Sequence, residues 1–203
     1  MGLNLRKREF PRQSIRSPEM LLAKSSGQIG WSVGLFSLLF LAVFLCVLQQ
    51  LERYRTASLY LEDALAASNL ASAVVDLKEY GKSHKILIGN PDEAYERYRF
   101  AVMGNLNLNQ EWEGVEGGVV VGIVKIVDYT VYNVTENEVA VSHYDEDGLK
   151  TEWKTPLGGA VAPNGVAVTS TSVYSEITFG VKGMFGIQVR ARKGNLADIA
   201  RNL

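Results

Sequence analysis

The residues of this chain best suited to chemistry are two histidines, one cysteine and one dense acidic cluster. Imidazole changes charge near neutral pH, so His84 and His143 are the first candidates for acid–base work or metal ligation. Both lie in polar stretches beside turns, with no companion motif. Asp145, Glu146 and Asp147 precede Gly148 and present three carboxylates together. A calcium loop needs a longer series of oxygen ligands ending in Glu. The cluster lacks that series and reads as a solvated hairpin turn. Cys46 is the single cysteine, so neither an intrachain disulfide nor a thiolate metal site can form. It sits in an apolar run and reads as a small hydrophobe. Asn133-Val134-Thr135 matches a glycosylation sequon, a three-residue pattern common by chance. Gly117, Gly118 and Gly122 fall in a β-rich stretch, where glycine marks a bulge or close packing rather than a nucleotide loop. The nucleophile-elbow, zinc-protease and phosphate-loop patterns do not occur. The expectation is a protein that is not an enzyme, with no cofactor and no metal.

The elements that must position these residues begin with an apolar run. Between Lys24 and Glu52 there is no charged residue. About 20 apolar residues in a helix cross a bilayer core of about 30 Å. Residues 29–48 contain thirteen Leu, Ile, Val or Phe. Together these favour insertion by about 4–8 kcal/mol, before small costs for Gly and Ser. A single membrane-spanning helix is expected over residues 28–50, and the bilayer is the first partner implied.

The flanks predict its orientation. Arg6, Lys7, Arg8, Arg12, Arg16 and Lys24 precede the run, against Glu9 and Glu19 only. By the positive-inside rule, residues 1–27 form a basic cytoplasmic leader and residues 51–203 an extracytoplasmic domain. That domain holds fifteen of the chain's 21 Lys and Arg and twenty of its 22 Asp and Glu. Its mild negative balance points away from nucleic acid. A cleaved secretory signal has a shorter apolar region and a small-residue site after it. Here the run ends in Leu48-Gln49-Gln50-Leu51. Val43-Phe44-Leu45 before Cys46 likewise lacks the small residue that a lipoprotein site requires.

Beyond the run the helical signal continues. Residues 51–80 hold no Gly or Pro and are rich in Ala and Leu. Leu61, Ala64, Leu65, Ala67, Leu70, Ala71, Val74 and Leu77 recur at spacings of three and four and predict one buried stripe. Leu65, Leu70, Val74 and Leu77 are the expected core residues. One continuous helix is predicted from about Gln28 to Tyr80, with Gly81 as its C-terminal cap. The alternative is a break near Gln49-Gln50. A second helix is marked by Asn90 as cap, Pro91 in its first position, and Asp92 and Glu93 at the positive end of its dipole. It should pass through Ala94, Tyr95, Tyr98, Val102 and Met103 and stop at Gly104-Asn105. The triplet Ile86-Leu87-Ile88 before it should dock on the core. From Gly114 the period changes to two. Strands are expected over 119–132, 139–144, 149–154, 166–181 and 187–192, with turns at 145–148 and at Lys182-Gly183 and a loop at 156–165. Helices followed by four to six antiparallel strands make an α+β class, and about 150 residues suit one domain.

Within the span, Gly30 and Gly34 are four apart, and Ser37 continues their small face. Such residues let two helices approach closely in lipid, where packing drives association. The two glycines are the expected helix-packing residues.

A basic leader, a Gly, a long helix that is apolar and then amphipathic, and a small α+β head together resemble the type IV pilin-like proteins. In particular the chain resembles the TadE-like pseudopilins of the tight-adherence (Tad/Flp) systems. The resemblance rests on Lys24-Ser25-Ser26-Gly27-Gln28 with the apolar run, and on the small-residue helix 64–76. The stretch 173–179 is similar to that family's strand-rich ends more loosely. The resemblance implies a pilin-like fold and cleavage by a prepilin peptidase between Gly27 and Gln28. It also implies other pilin-like subunits or secretion-system proteins as partners. Family members usually carry Glu at the fifth mature position; Ser32 stands there in this chain. Two functions are therefore carried forward. One is a structural or assembly subunit, a minor pseudopilin of a Tad-type pilus or secretion machine. The other is a membrane-anchored extracytoplasmic binding domain within a larger membrane complex.

Overall fold

In a computed structural model, the described residues are 19–183 and 186–199, without the side chains of 19–29. The chain divides into two units, Met1–Gln49 and Gln50–Leu203, the second called the head below. Helix α1, Glu19–Ser72, runs without a break through Gln49 and Gln50. Residues 1–18 of the expected leader lie outside the described residues. Gly27 and Gln28 belong to the backbone of α1, but their side chains also lie outside them.

The head is α+β, as expected. Helices α2 (Leu77–Ser83) and α3 (Pro91–Asn105) precede strands β1 (Val120–Val134), β2 (Glu138–Tyr144), β3 (Lys150–Pro156), β4 (Ser172–Lys182) and β5 (Gln188–Asp198). The strands form one antiparallel sheet in the order β3-β2-β1-β4-β5. The period-two pattern gives this sheet two buried faces. Tyr129 and Val131 of β1 and Val173 and Ile177 of β4 pack with Ala57, Leu61, Ala64 and Leu65 of α1 and with Ala94, Tyr98 and Val102 of α3. The alternate residues Tyr132, Val134 and Tyr174 pack with Ala160, Ala162 and Val168 of the loop at 157–171.

Three sequence expectations are corrected. The long helix ends at Ser72, not at Tyr80. Val75 is extended and pairs with Ile88 as an isolated bridge, and Asp76 N–H donates to Leu87 O at 2.8 Å. Asp76 then caps a new helix, its carboxylate accepting from Lys78 N at 2.9 Å and Glu79 N at 3.0 Å. A β-branched pair next to an Asp cap outweighs the propensity of the surrounding Ala and Leu. Gly81 lies inside α2, and His84 takes the C-cap with φ 56°. Finally, the buried face of α1 is Ala57, Leu61, Ala64, Leu65, Ser68, Asn69 and Ser72, while Leu70, Val74 and Leu77 are exposed. At about 100° per residue, Leu70 lies on the opposite side of the helix from Leu61.

Small polar residues are what this buried face contains beyond Leu65, and each finds a partner. Tyr129 Oη donates to Ser72 Oγ at 2.9 Å, and Ser72 Oγ donates to Asn69 O at 2.7 Å. Asn69 Nδ2 donates to Asn195 O at 3.0 Å. Asn105 Nδ2 donates to Ser68 Oγ at 2.9 Å and ties the end of α3 to α1. The expected cap of α3 is present: Asn90 Oδ1 accepts from Asp92 N and Glu93 N. Ile88 docks as expected, and Asn133 holds it. Ile88 N donates to Asn133 Oδ1 at 2.7 Å and Asn133 Nδ2 donates to Ile88 O at 2.9 Å, so the sequon's amide is engaged in the fold. The fourth strand begins at Ser172, later than expected, because residues 157–171 cover the second face of the sheet as a loop.

Candidate functional site

The apolar half of α1 is the first candidate. Within Gly30–Ser72 the helix is long and apolar enough to cross a membrane, and none of its most apolar stretch is buried. Trp31, Leu35, Phe36, Leu38 and Phe40 are each at least two-thirds exposed. Such a row of large apolar side chains in water would be costly, whereas hydrocarbon satisfies it. The helix is thus compatible with a single-pass membrane protein. A Cβ built on Gly30 or on Gly34 would meet nothing within 4 Å, so both positions lie open. Cys46 is exposed on the same helix.

The second candidate lies in the head and escaped the sequence reading. A cleft of about 680 Å³ opens between α3, the start of β1 and the β2–β3 turn. Tyr95 and Arg99, one turn apart on α3, form one wall. The Tyr95 ring stacks on Tyr144 at 4.5 Å and 12°, and the Arg99 guanidinium lies 5.9 Å from Tyr95 and 5.8 Å from Trp112. Glu96 accepts from Arg99 at 3.2 Å. Trp112 has a left-handed φ of 62°, rare for a bulky residue. It is held there by its N–H to Asn109 O at 3.1 Å and by Val124 N–H to its carbonyl at 2.9 Å. Opposite it, β1 is irregular: Gly122 has φ 71°, and the register with β4 shifts between Val121 and Lys125 and again between Ile126 and Asp128. Gly122 marks the bulge its residue type suggested, and such a bulge re-aims neighbouring side chains. Lys125 lines the cleft beside Val124 and Ile126.

The acidic turn closes the cleft. Asp145 Oδ1 accepts from Asp147 N at 3.0 Å and from Leu149 N at 2.8 Å, which shapes the turn. Glu146, Asp147 and Gly148 line the opening. Among the described residues no group of three or more His, Cys, Asp or Glu is placed to hold a metal ion.

In the lining of the cleft, Asp92 at the start of α3 accepts from Tyr144 Oη at 2.6 Å and pairs with Lys150 Nζ at 3.1 Å. Lys150 also reaches Glu152 at 2.7 Å. The Tyr144 hydrogen bond, then that from Lys150, hold the Asp92 carboxyl below the ordinary carboxylate range; burial opposes them and the Lys150 charge adds to them. A depressed folded-state pKa stabilises the fold above the unfolded value of about 3.9, and the contribution is lost as pH falls through the folded value. Tyr144→Phe should therefore raise the Asp92 midpoint in an NMR-monitored carboxyl titration. The stability difference between the two proteins should be present at neutral pH and vanish in acid. An unchanged midpoint would show that Tyr144 does not set it.

Neither histidine lines the cleft. His84 caps α2 and sets its ring edge-on to Tyr80. His143 Nδ1 lies 3.0 Å from Thr130 Oγ1 and 3.3 Å from Asp128 Oδ1. The Thr130 hydroxyl is buried and donates to Asp128 at 2.7 Å, so it is not an accessible nucleophile. Asp128 and Glu176 are direct partners across β1 and β4, a like-charge pair that disfavours pairing. Arg192 offsets it by gripping Glu176 through Nε and, at 2.8 Å, through Nη2. No family model, curated protein or solved structure matches this chain.

Proposed function

We propose that the chain is a pilin-like structural or assembly subunit, a minor pseudopilin of a Tad-type pilus or secretion machine. In this reading it is anchored by one span with its N-terminal side in the cytoplasm. The observation that carries the reading is the uncovered apolar half of α1, followed on the same helix by a half whose other residues enter the head's core. A lone apolar helix is already satisfied by lipid. Two open glycines on it suit a second helix better than they suit lipid alone. The six basic residues before the span give the orientation. A prepilin peptidase would cut between Gly27 and Gln28; a resident, uncut accessory subunit fits the same features.

The cleft favours the second reading, a membrane-anchored extracytoplasmic binding domain, because filament packing alone gives no reason for a preformed polar pocket. Protease added to intact spheroplasts should digest the chain after Glu52 and spare a tag at Met1. Digestion of the tag with protection of the head would overturn the orientation common to both readings. The mass of the purified chain should place Gln28 at the N-terminus if it is processed.

A further inference from the structure

We infer that the cleft between α3, β1 and the β2–β3 turn binds a neutral oligosaccharide. Its shape excludes other classes first. Pockets for cofactors and drug-sized ligands are mainly apolar and enclose most of the ligand. This one is open and mostly polar, with aromatic side chains from Tyr95, Trp112 and Tyr144. An ionic ligand would need one sign of charge to prevail. Here Glu96 pairs with Arg99, and Asp92 pairs with Lys150, itself just outside the lining, which leaves Lys125 against Glu146 and Asp147, an excess of one negative charge.

What the cleft offers is a nearly balanced set of donors and acceptors beside flat rings. Lys125, Glu146 and Asp147 carry no side-chain ion pair or hydrogen bond among the described residues, and each lines the cleft. Lysine only donates and ionised carboxylates only accept, whereas a sugar hydroxyl does both. Vicinal hydroxyls can therefore bridge the two kinds of group. Arg99 retains donors beyond those that Glu96 takes, and its guanidinium carbon lies over both the Tyr95 and the Trp112 rings. The C–H face of a pyranose ring suits the remaining indole surface, as a weakly polar contact.

Two irregularities converge on this place. Trp112 is held in a left-handed conformation, and Val124, Lys125 and Ile126, which line the cleft with it, lie at the register shifts of β1. Departures from local rules that the surrounding structure enforces concentrate at functional sites. The inference does not need the chain to enter a filament.

The test is binding of the full chain, in lipid nanodiscs, to a printed array of neutral and acidic glycans, followed by calorimetric titration of the best binder. Saturable binding to a neutral glycan is expected. Lys125→Ala, the pair Glu146→Gln/Asp147→Asn, and Trp112→Phe should each weaken it by about tenfold, the loss expected for a hydrogen bond to a charged group or for a stacking surface. The first two variants alter exposed side chains and should leave the unfolding midpoint unchanged. Arg190→Ala, on β5 away from the cleft, should bind as the parent does. Absence of binding across the array, binding confined to acidic glycans, or binding that survives all the cleft variants would each overturn the inference.

Discussion

Replacing Leu65 with alanine is expected to destabilise the head by about 2–5 kcal/mol. Leu70→Ala is expected to change it by less than about 0.5 kcal/mol. The two leucines are five residues apart on one helix and identical in composition, so propensity cannot separate them. Burial does: Leu65 is fully buried, whereas Leu70 is 54% exposed. Leu65 lies among Leu61, Tyr98 and the inner faces of β1 and β4 in the main core. Removing its side chain leaves a cavity that close-packed neighbours fill only in part. Denaturant unfolding of the full chain in detergent, followed by near-ultraviolet circular dichroism, separates the cases. Equal losses for both would place Leu70 in a core that the structure does not show.

Ala64→Pro is the second large effect. Ala64 is buried in the middle of the head's portion of α1, and its carbonyl also accepts from Ser68 Oγ at 2.7 Å. Proline there removes a backbone N–H and clashes with the carbonyl one turn earlier, costing about 3 kcal/mol or more. Ala64→Gly keeps the N–H and should cost about 1 kcal/mol from propensity. If the proline variant is no less stable than the glycine variant, α1 is not a continuous helix at this position.

Much of the fold could be read from the residues. Asn90-Pro91-Asp92-Glu93 announced α3 because each residue has a local reason for its place at a helix start. The strands around 145–148 announced themselves by alternation and by a turn that only Asp and Gly make cheaply. The end of α1 was hidden because Val74, Val75 and Asp76 lie inside an Ala- and Leu-rich stretch. The break depends on Val75 pairing with Ile88 and Asp76 with Leu87, more than ten residues away. The buried stripe was misread after Leu65 for a related reason. Counting apolar residues continues it through Leu70, but the inward positions are Ser68, Asn69 and Ser72. Their hydrogen bonds come from Asn105, Asn195 and Tyr129 elsewhere in the chain.

The cleft was hidden for the same physical reason. Tyr95 and Arg99 are four apart on a predicted helix, which was visible. That Trp112, Lys125 and the 145–148 turn meet them depends on a bulge and on a left-handed residue, and no local pattern marks the second. Gly122 was the one legible hint, since glycine inside a β-rich run signals a bulge.

The claim that the apolar helix packs against its own kind is tested most directly by crosslinking through a cysteine placed on the small face, Ser37→Cys in a Cys46→Ser background. Cys46 itself, the chain's single cysteine, lies about 120–160° around α1 from the two glycines and would not report their contact. This Ser37→Cys/Cys46→Ser parent and the same chain with Gly30→Leu/Gly34→Leu should be oxidised in membranes that carry the secretion machinery. Leucine favours the bilayer, so the double variant should insert as well as the parent, while its bulk blocks the close approach that glycine permits. Pilin-like packing predicts a disulfide-linked dimer in the parent and a marked loss of it in the variant at equal membrane abundance. Equal crosslinking in both chains, or none in either, would contradict it and leave an anchored binding domain as the better reading.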